Sequence, residues 1–154
     1  MRNSKPLPST SWLRPPWQLL ALTVLCLALV TGWPAPASAQ ADATATAQTQ
    51  VNQGNWEAAG QTITQGLTAH PKDARLRLLQ GVVWAHQGKL TLAQTAFEGM
   101  IADHPELSEP YNNLGIVLAQ QGNSLGAKQQ FQKALLADPQ NTQAQTNLAR
   151  LSVP

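Results

Sequence analysis

The chain has 154 residues, 43% hydrophobic but only 12% charged, with a formal net charge of +2. That length bounds it to one domain, and a lone cysteine excludes a disulfide framework. The thin scatter of Lys and Arg offers no footprint for a phosphate backbone, so nucleic acid is not an expected partner.

The N-terminus reads as an address. Arg2, Lys5 and Arg14 precede an apolar run from Leu19 to Val30, interrupted only by Thr23, which Gly32 and Pro34 end before Ala37-Ser38-Ala39. Basic, apolar, then small-x-small is the order of a secretory signal peptide, expected to span 1–39 and to be cut after Ala39. Export to the periplasm follows, with an inner-membrane anchor as the alternative. The apolar run is shorter than the roughly 20 residues that cross a hydrocarbon core, so the membrane enters only through an uncleaved leader. A lipoprotein is rejected because Cys26 lies inside that run behind Leu25. Removal of the leader would take the only cysteine and three cations, leaving the remainder at −1. About 115 residues then remain, enough to bury a workable core by packing alone.

Residues 40–53 are mostly Ala, Thr and Gln, and form either a linker or a weak first helix, expected from about Ala43 to Gln53. Gly54 can close that helix in the left-handed conformation, and Asn55 can cap the next. Trp56, Ala59, Ile63 and Leu67 then recur at helical spacing. His70-Pro71 stops this helix, and Asp73 is placed to cap its successor. Leu76, Leu79, Val83 and Trp84 share one helix closed by Gly88, and Leu92, Ala93, Ala96, Phe97, Met100 and Ile101 line its partner, closed by Pro105. Ser108 is expected to cap a helix whose first turn holds Glu109 and Pro110, with Tyr111, Leu114, Gly115, Val117 and Leu118 as its buried face. Asn123 opens the partner carrying Leu125, Ala127, Phe131, Ala134 and Leu135. Beyond Pro139, Asn141 can cap a last helix with Leu148 and Leu151, whose many amides suit an end facing water.

One interval runs through these elements. Pro71, Pro105 and Pro139 stand 34 apart, as do Gly54, Gly88 and Gly122, Ala59, Ala93 and Ala127, and Ile63, Phe97 and Phe131. A fixed period in this range marks a stacked-repeat architecture. The chain resembles the tetratricopeptide repeat family, whose 34-residue pattern asks for an aromatic, Leu-Gly, an aromatic, then Ala, Phe, Ala and Pro. The third copy matches with Tyr111, Leu114-Gly115, Ala127, Phe131, Ala134 and Pro139. The second matches with Gly81, Trp84, Ala93, Phe97 and Pro105, carrying Gln80 and Met100 where Leu and Ala are usual. The first keeps Ala59, Ile63 and Pro71, with Gly66 in the late Ala position. The stretch HPELSEPYNNLG is also similar to repeat blocks in secreted envelope proteins of diderm bacteria. The resemblance implies an all-α, right-handed solenoid of about three units, a degenerate first at 40–73, then 74–107 and 108–141, with a C-terminal solvating helix at 142–154.

No chemistry shows. His70 and His104 share the slot before Pro that holds Asp138 in the third copy, a polar helix end before a ligand or base. His86 has no Cys or second His in register, and Glu106 and Glu109 read as a solvated first turn. No phosphate loop, nucleophile elbow or metal set appears, so neither catalysis nor a cofactor is expected. The resemblance instead implies a concave groove lined by the first helix of each unit. Its slots hold Arg75, Leu78, Val82 and Ala85; Glu109, Asn112, Asn113, Ile116 and Ala119; and Thr146, Asn147 and Arg150. Asparagines on an apolar floor could bond a peptide backbone, although Asn113 has an equally good structural reading. Some relatives grip a C-terminal carboxylate with lysines in this groove; those slots hold Leu78 and Asn112 here, so that clamp is not carried over. A non-enzymatic scaffold for a peptide or partner protein is therefore expected. The alternative is a self-associating subunit of an envelope complex, with Trp56 and Ile63 left partly uncovered by a weak first helix and, by family analogy alone, cell-wall association.

Overall fold

A computed structural model describes residues 37–151, which form seven α-helices joined by short turns. They are α1 (Ala37–Asn52), α2 (Trp56–Ala69), α3 (Ala74–His86), α4 (Leu90–Asp103), α5 (Ser108–Gln120), α6 (Ser124–Ala137) and α7 (Thr142–Arg150). The basic and apolar parts of the expected leader lie outside the described residues. Among the described residues, no helix is long and apolar enough to cross a membrane.

Two kinds of punctuation alternate. Within a pair, Gly54, Gly88 and Gly122 adopt φ of 74°, 74° and 83°, a region closed to most side chains. The next residue's N–H then reaches back to close the helix: Asn55 to Gln50, Lys89 to Trp84 and Asn123 to Leu118, each at 2.9 Å. Between pairs, the N–H groups of His70, His104 and Asp138 bond Gly66, Met100 and Ala134 carbonyls at 2.8 Å, before Pro forbids another turn. Pro71, Pro105 and Pro139 are exposed, so they shape the chain and contribute no core.

Caps follow the same rhythm, with exceptions. Asp73, Asn123 and Asn141 accept from the N–H groups of Leu76, Gly126 and Ala144 at 2.9 to 3.0 Å. Asn55 makes no such bond; its amide donates to Gln53. Nor does Ser108 cap α5. Leu107 holds the cap position, and the Ser108 hydroxyl donates to the Ala134 carbonyl at 2.9 Å while accepting from Asn141 Nδ2 at 2.7 Å. Asn141 thus ties the nine-residue α7 to both its own first turn and the preceding pair. A helix this short does not hold itself in water. Asn141→Ala is expected to remove about 1–2 kcal/mol, seen as faster amide exchange in α7 while α3 to α5 stay protected.

Packing is by matched sizes. A Cβ on Gly81 would lie 2.5 Å from Phe97 Cε1, and one on Gly115 would lie 2.5 Å from Phe131 Cε1. Each glycine therefore lets α3 or α5 meet its partner across a buried ring. In the first pair the same two slots hold Ala47 and Ile63, both 0% exposed. A larger small residue faces a smaller large one. This is why α1 packs despite its polar sequence, and why it exceeds the weak helix expected there. Ile63 is fully covered, contrary to expectation, whereas Trp56 is half-buried with its ring stacked on His86 at 3.8 Å and stays partly uncovered. Leu92 and Leu125 turn out to be exposed, at 49% and 70%, because Ala93 and Ala127 take the inward direction on their helices.

Two core clusters result. One gathers Ala47, Ala59, Ile63, Leu76, Leu79 and Val83; the other gathers Ala93, Phe97, Leu114, Val117, Leu118, Ala127 and Phe131. Ala134 is also fully buried, while Tyr111 and Trp84 are half-buried. Every helix packs on the next, and α1, α3, α5 and α7 also lie beside one another, whereas α2, α4 and α6 meet only odd-numbered helices. The architecture is an all-α repeat solenoid with one continuous odd-helix face.

At the outer edge of the second pair, Arg77 donates to Asp103 Oδ2 at 2.6 Å. That hydrogen bond, and the guanidinium charge behind it, hold the Asp103 carboxyl below the usual carboxylate range. A depressed folded-state value means that its stabilisation is present above the unfolded value and is lost as pH falls through the folded one. Both side chains are partly solvated, so salt weakens the pair. In an NMR titration Asp103 is expected to titrate low, and Arg77→Gln to raise it.

Candidate functional site

Three cavities run along the odd helices and share one residue, Ile116. The first, of about 130 Å³, lies between Val82 and Ala85 of α3 and Asn113, Ile116 and Gln120 of α5, with His86 and Phe97 completing it. The second, about 320 Å³, is bounded by Ile116, Ala119, Gln120 and Phe131 on one side and Asn147, Arg150 and Leu151 on the other. The third, about 360 Å³, is lined by Ile116, Thr142, Gln143, Thr146 and Asn147. The base is apolar and the edges are amides, with Arg150 the one fully charged side chain among these linings.

Eight of the twelve expected groove residues line these cavities: Val82, Ala85, Asn113, Ile116, Ala119, Thr146, Asn147 and Arg150. Arg75 and Glu109 are exposed and Leu78 half-buried, but none of the three lines them. Asn112 departs from the expectation. It is 1% exposed, and its oxygen accepts from Asn147 Nδ2 at 3.0 Å. A longer contact, 3.5 Å, joins Asn112 Nδ2 to the Asn113 oxygen. A buried amide that already has partners cannot serve a ligand; Asn112 instead holds the two flanking asparagines in place. Spacing alone could not show this, since Leu78 occupies the same slot one unit earlier.

His86, which has no Cys or second His in register, meets an aromatic ring. Its imidazole lies at 9° to the Trp56 indole, pinning the start of α2 to the end of α3 at one end of the groove. His104 Nδ1 approaches Glu106 at 3.5 Å, a loose surface pair at a helix end. Among the described residues, no group of three or more His, Cys, Asp or Glu could hold a metal ion.

Such a row of helix pairs, joined by left-handed glycines and matched Gly–Phe contacts and open along one face, defines a repeat scaffold. Residues 44–107 match the tetratricopeptide repeat family model, and residues 104–151 match one described as an Est1 DNA/RNA binding domain. Among solved structures, the chain is similar to the first such domain of Spaghetti (RPAP3) bound to an HSP90 peptide, at 18% identity and TM-score 0.68, covering 79% of this chain and 96% of that one. It is similar to the second such domain of human RPAP3 in complex with an HSP70 peptide, at 22% identity and TM-score 0.67, covering 78% and 100%. A Thermobaculum terrenum O-GlcNAc transferase aligns at 22% identity and TM-score 0.71, over 75% of this chain but 22% of that one. At these identities the likeness concerns the fold. The family match thus rests on residues 44–107, and the structural neighbours extend the same fold over the remaining helices.

Proposed function

We propose that this chain is a non-enzymatic scaffold that holds an extended segment of a partner protein along its odd-helix face. The observation that carries the reading is the run of three cavities meeting at Ile116, with an apolar base and asparagines at fixed places along it. The Asn113 amide nitrogen and the Asn147 amide oxygen have no partner among the described residues, one a donor and the other an acceptor. Together they suit a peptide backbone, which offers both, while Val82, Ile116 and Ala119 suit its side chains. Two of the similar structures hold peptides, which agrees with this use of the fold. The Est1 match does not redirect the reading, because residues 104–151 carry three Lys or Arg against three Asp or Glu and present no cationic row.

The same proposal places the protein outside the cytoplasm, through cleavage after Ala39. Such a cut would trim the first three residues of α1 and leave its buried Ala47 in place. Intact-mass measurement of the native protein reads the mature N-terminus directly. Peptides selected from a random library on the immobilised chain test the groove. They are expected to bind Val82→Glu far more weakly, and equal binding by both proteins would remove the groove from the account.

A further inference from the structure

The 34-residue interval relates two places on the surface, a notch formed by α2, α3 and the turn into α4, and its counterpart at α4, α5 and the turn into α6. The two are built differently. In the later one Gln94 accepts a hydrogen bond from Gln121 Nε2 at 3.1 Å, and Leu118 is 9% exposed. In the earlier one Gly60 stands for Gln94, Gln87 for Gln121 and Trp84 for Leu118. Gly60 has no side chain for Gln87 to bond; a Cβ added there would lie 4.0 Å from Gln87 Nε2 and 3.7 Å from Val83 Cγ1, ordinary contact distances. A cavity of about 410 Å³ results, larger than any of the three along the groove, with half-buried Trp84 in its wall.

We propose that this notch is a binding site for a neutral saccharide. Gln61 and Gln65 come from α2, and Gln80 and Gln87 from α3 and its cap. None of these four amides has a hydrogen-bond partner among the described residues, unlike the bonded Gln94–Gln121 pair. Each amide offers a donor and an acceptor, as a sugar hydroxyl does, and the indole offers a flat apolar surface for the C–H face of a pyranose ring. Glu57 and Lys89 are the charged groups in the lining and balance, so no ionic ligand is favoured. The volume falls within the range of small-ligand sites, about 300–1,000 Å³. An extended peptide fits less well, because the amides come from two helices around one aromatic residue and do not form a row.

The test is an NMR titration of the full chain with chitotriose, cellotriose and maltotriose, following the Trp84 indole N–H, which is assigned by its loss in Trp84→Leu. At least one trisaccharide is expected to shift that signal saturably while leaving Trp56 unmoved. Gly60→Gln, which copies the bonded notch, should weaken binding at least about tenfold. Gly60→Ala controls for helix propensity and should retain binding, because its Cβ finds only ordinary contacts. No saturable shift with any of the three sugars, equal affinity in Gly60→Gln, or shifts centred on Ile116 would overturn the assignment. The notch shares no residue with the groove cavities, so peptide affinity in Gly60→Gln is expected to match wild type, and the two readings fail separately.

Discussion

Phe97→Ala is expected to lower the unfolding free energy by about 3–5 kcal/mol, a large share of the roughly 5–15 kcal/mol that holds a domain together. The ring is 1% exposed and lies directly over Gly81, so its removal leaves a void that neither helix can close without moving the other. The converse change, Gly81→Ala, drives a Cβ to 2.5 Å from that ring. It should cost about 1–3 kcal/mol by overpacking, offset by about 0.5–1 kcal/mol because Ala suits a helix interior better than Gly. The informative variant combines Gly81→Ala with Phe97→Ile. That pair reproduces Ala47 and Ile63, which sit fully buried in the same two slots of the first unit. The double variant is expected to be more stable than the sum of its single changes by about 1–2 kcal/mol, measured by urea unfolding. Simple additivity would mean that the slots are not matched by size.

The second large effect falls on binding. Ile116 lines all three groove cavities and is half-buried, with the Asn112–Asn147 bond beside it. Ile116→Glu places a carboxylate on the apolar base, where any bound segment must desolvate it. A loss of at least about tenfold in peptide affinity, or about 1.4 kcal/mol, is expected. The melting temperature should fall much less than for Phe97→Ala, because Ile116 lies at the edge of the core cluster.

Much of the fold could be read in advance because the period rests on residues with a backbone task. A glycine at φ near 74° and a proline after the last turn cannot be exchanged freely, so they announce the unit length. The Gly–Phe contacts were legible for the same reason: only a residue without a Cβ admits the ring. The first helix was underestimated because its key residue, Ala47, is small, and apolar periodicity weighs large side chains. What lay beyond the sequence depends on which neighbour reaches a polar group first. Ser108 looked like a cap, yet its hydroxyl meets Ala134 and Asn141 from other helices. Asn112 looked like a groove contact, yet Asn147, 35 residues on, takes its oxygen. The open notch at Gly60 was equally hidden, since it appears only when Gln94 and Gln121 are seen bonded one unit later.

The claim that the odd-helix face receives the ligand is tested most directly by mapping amide shifts on the labelled chain as a library-selected peptide is added. The account predicts one contiguous track through Val82, Asn113, Ile116 and Asn147, crossing three helices. Shifts gathered instead on the even helices, around exposed Leu125 and Leu136, would contradict it.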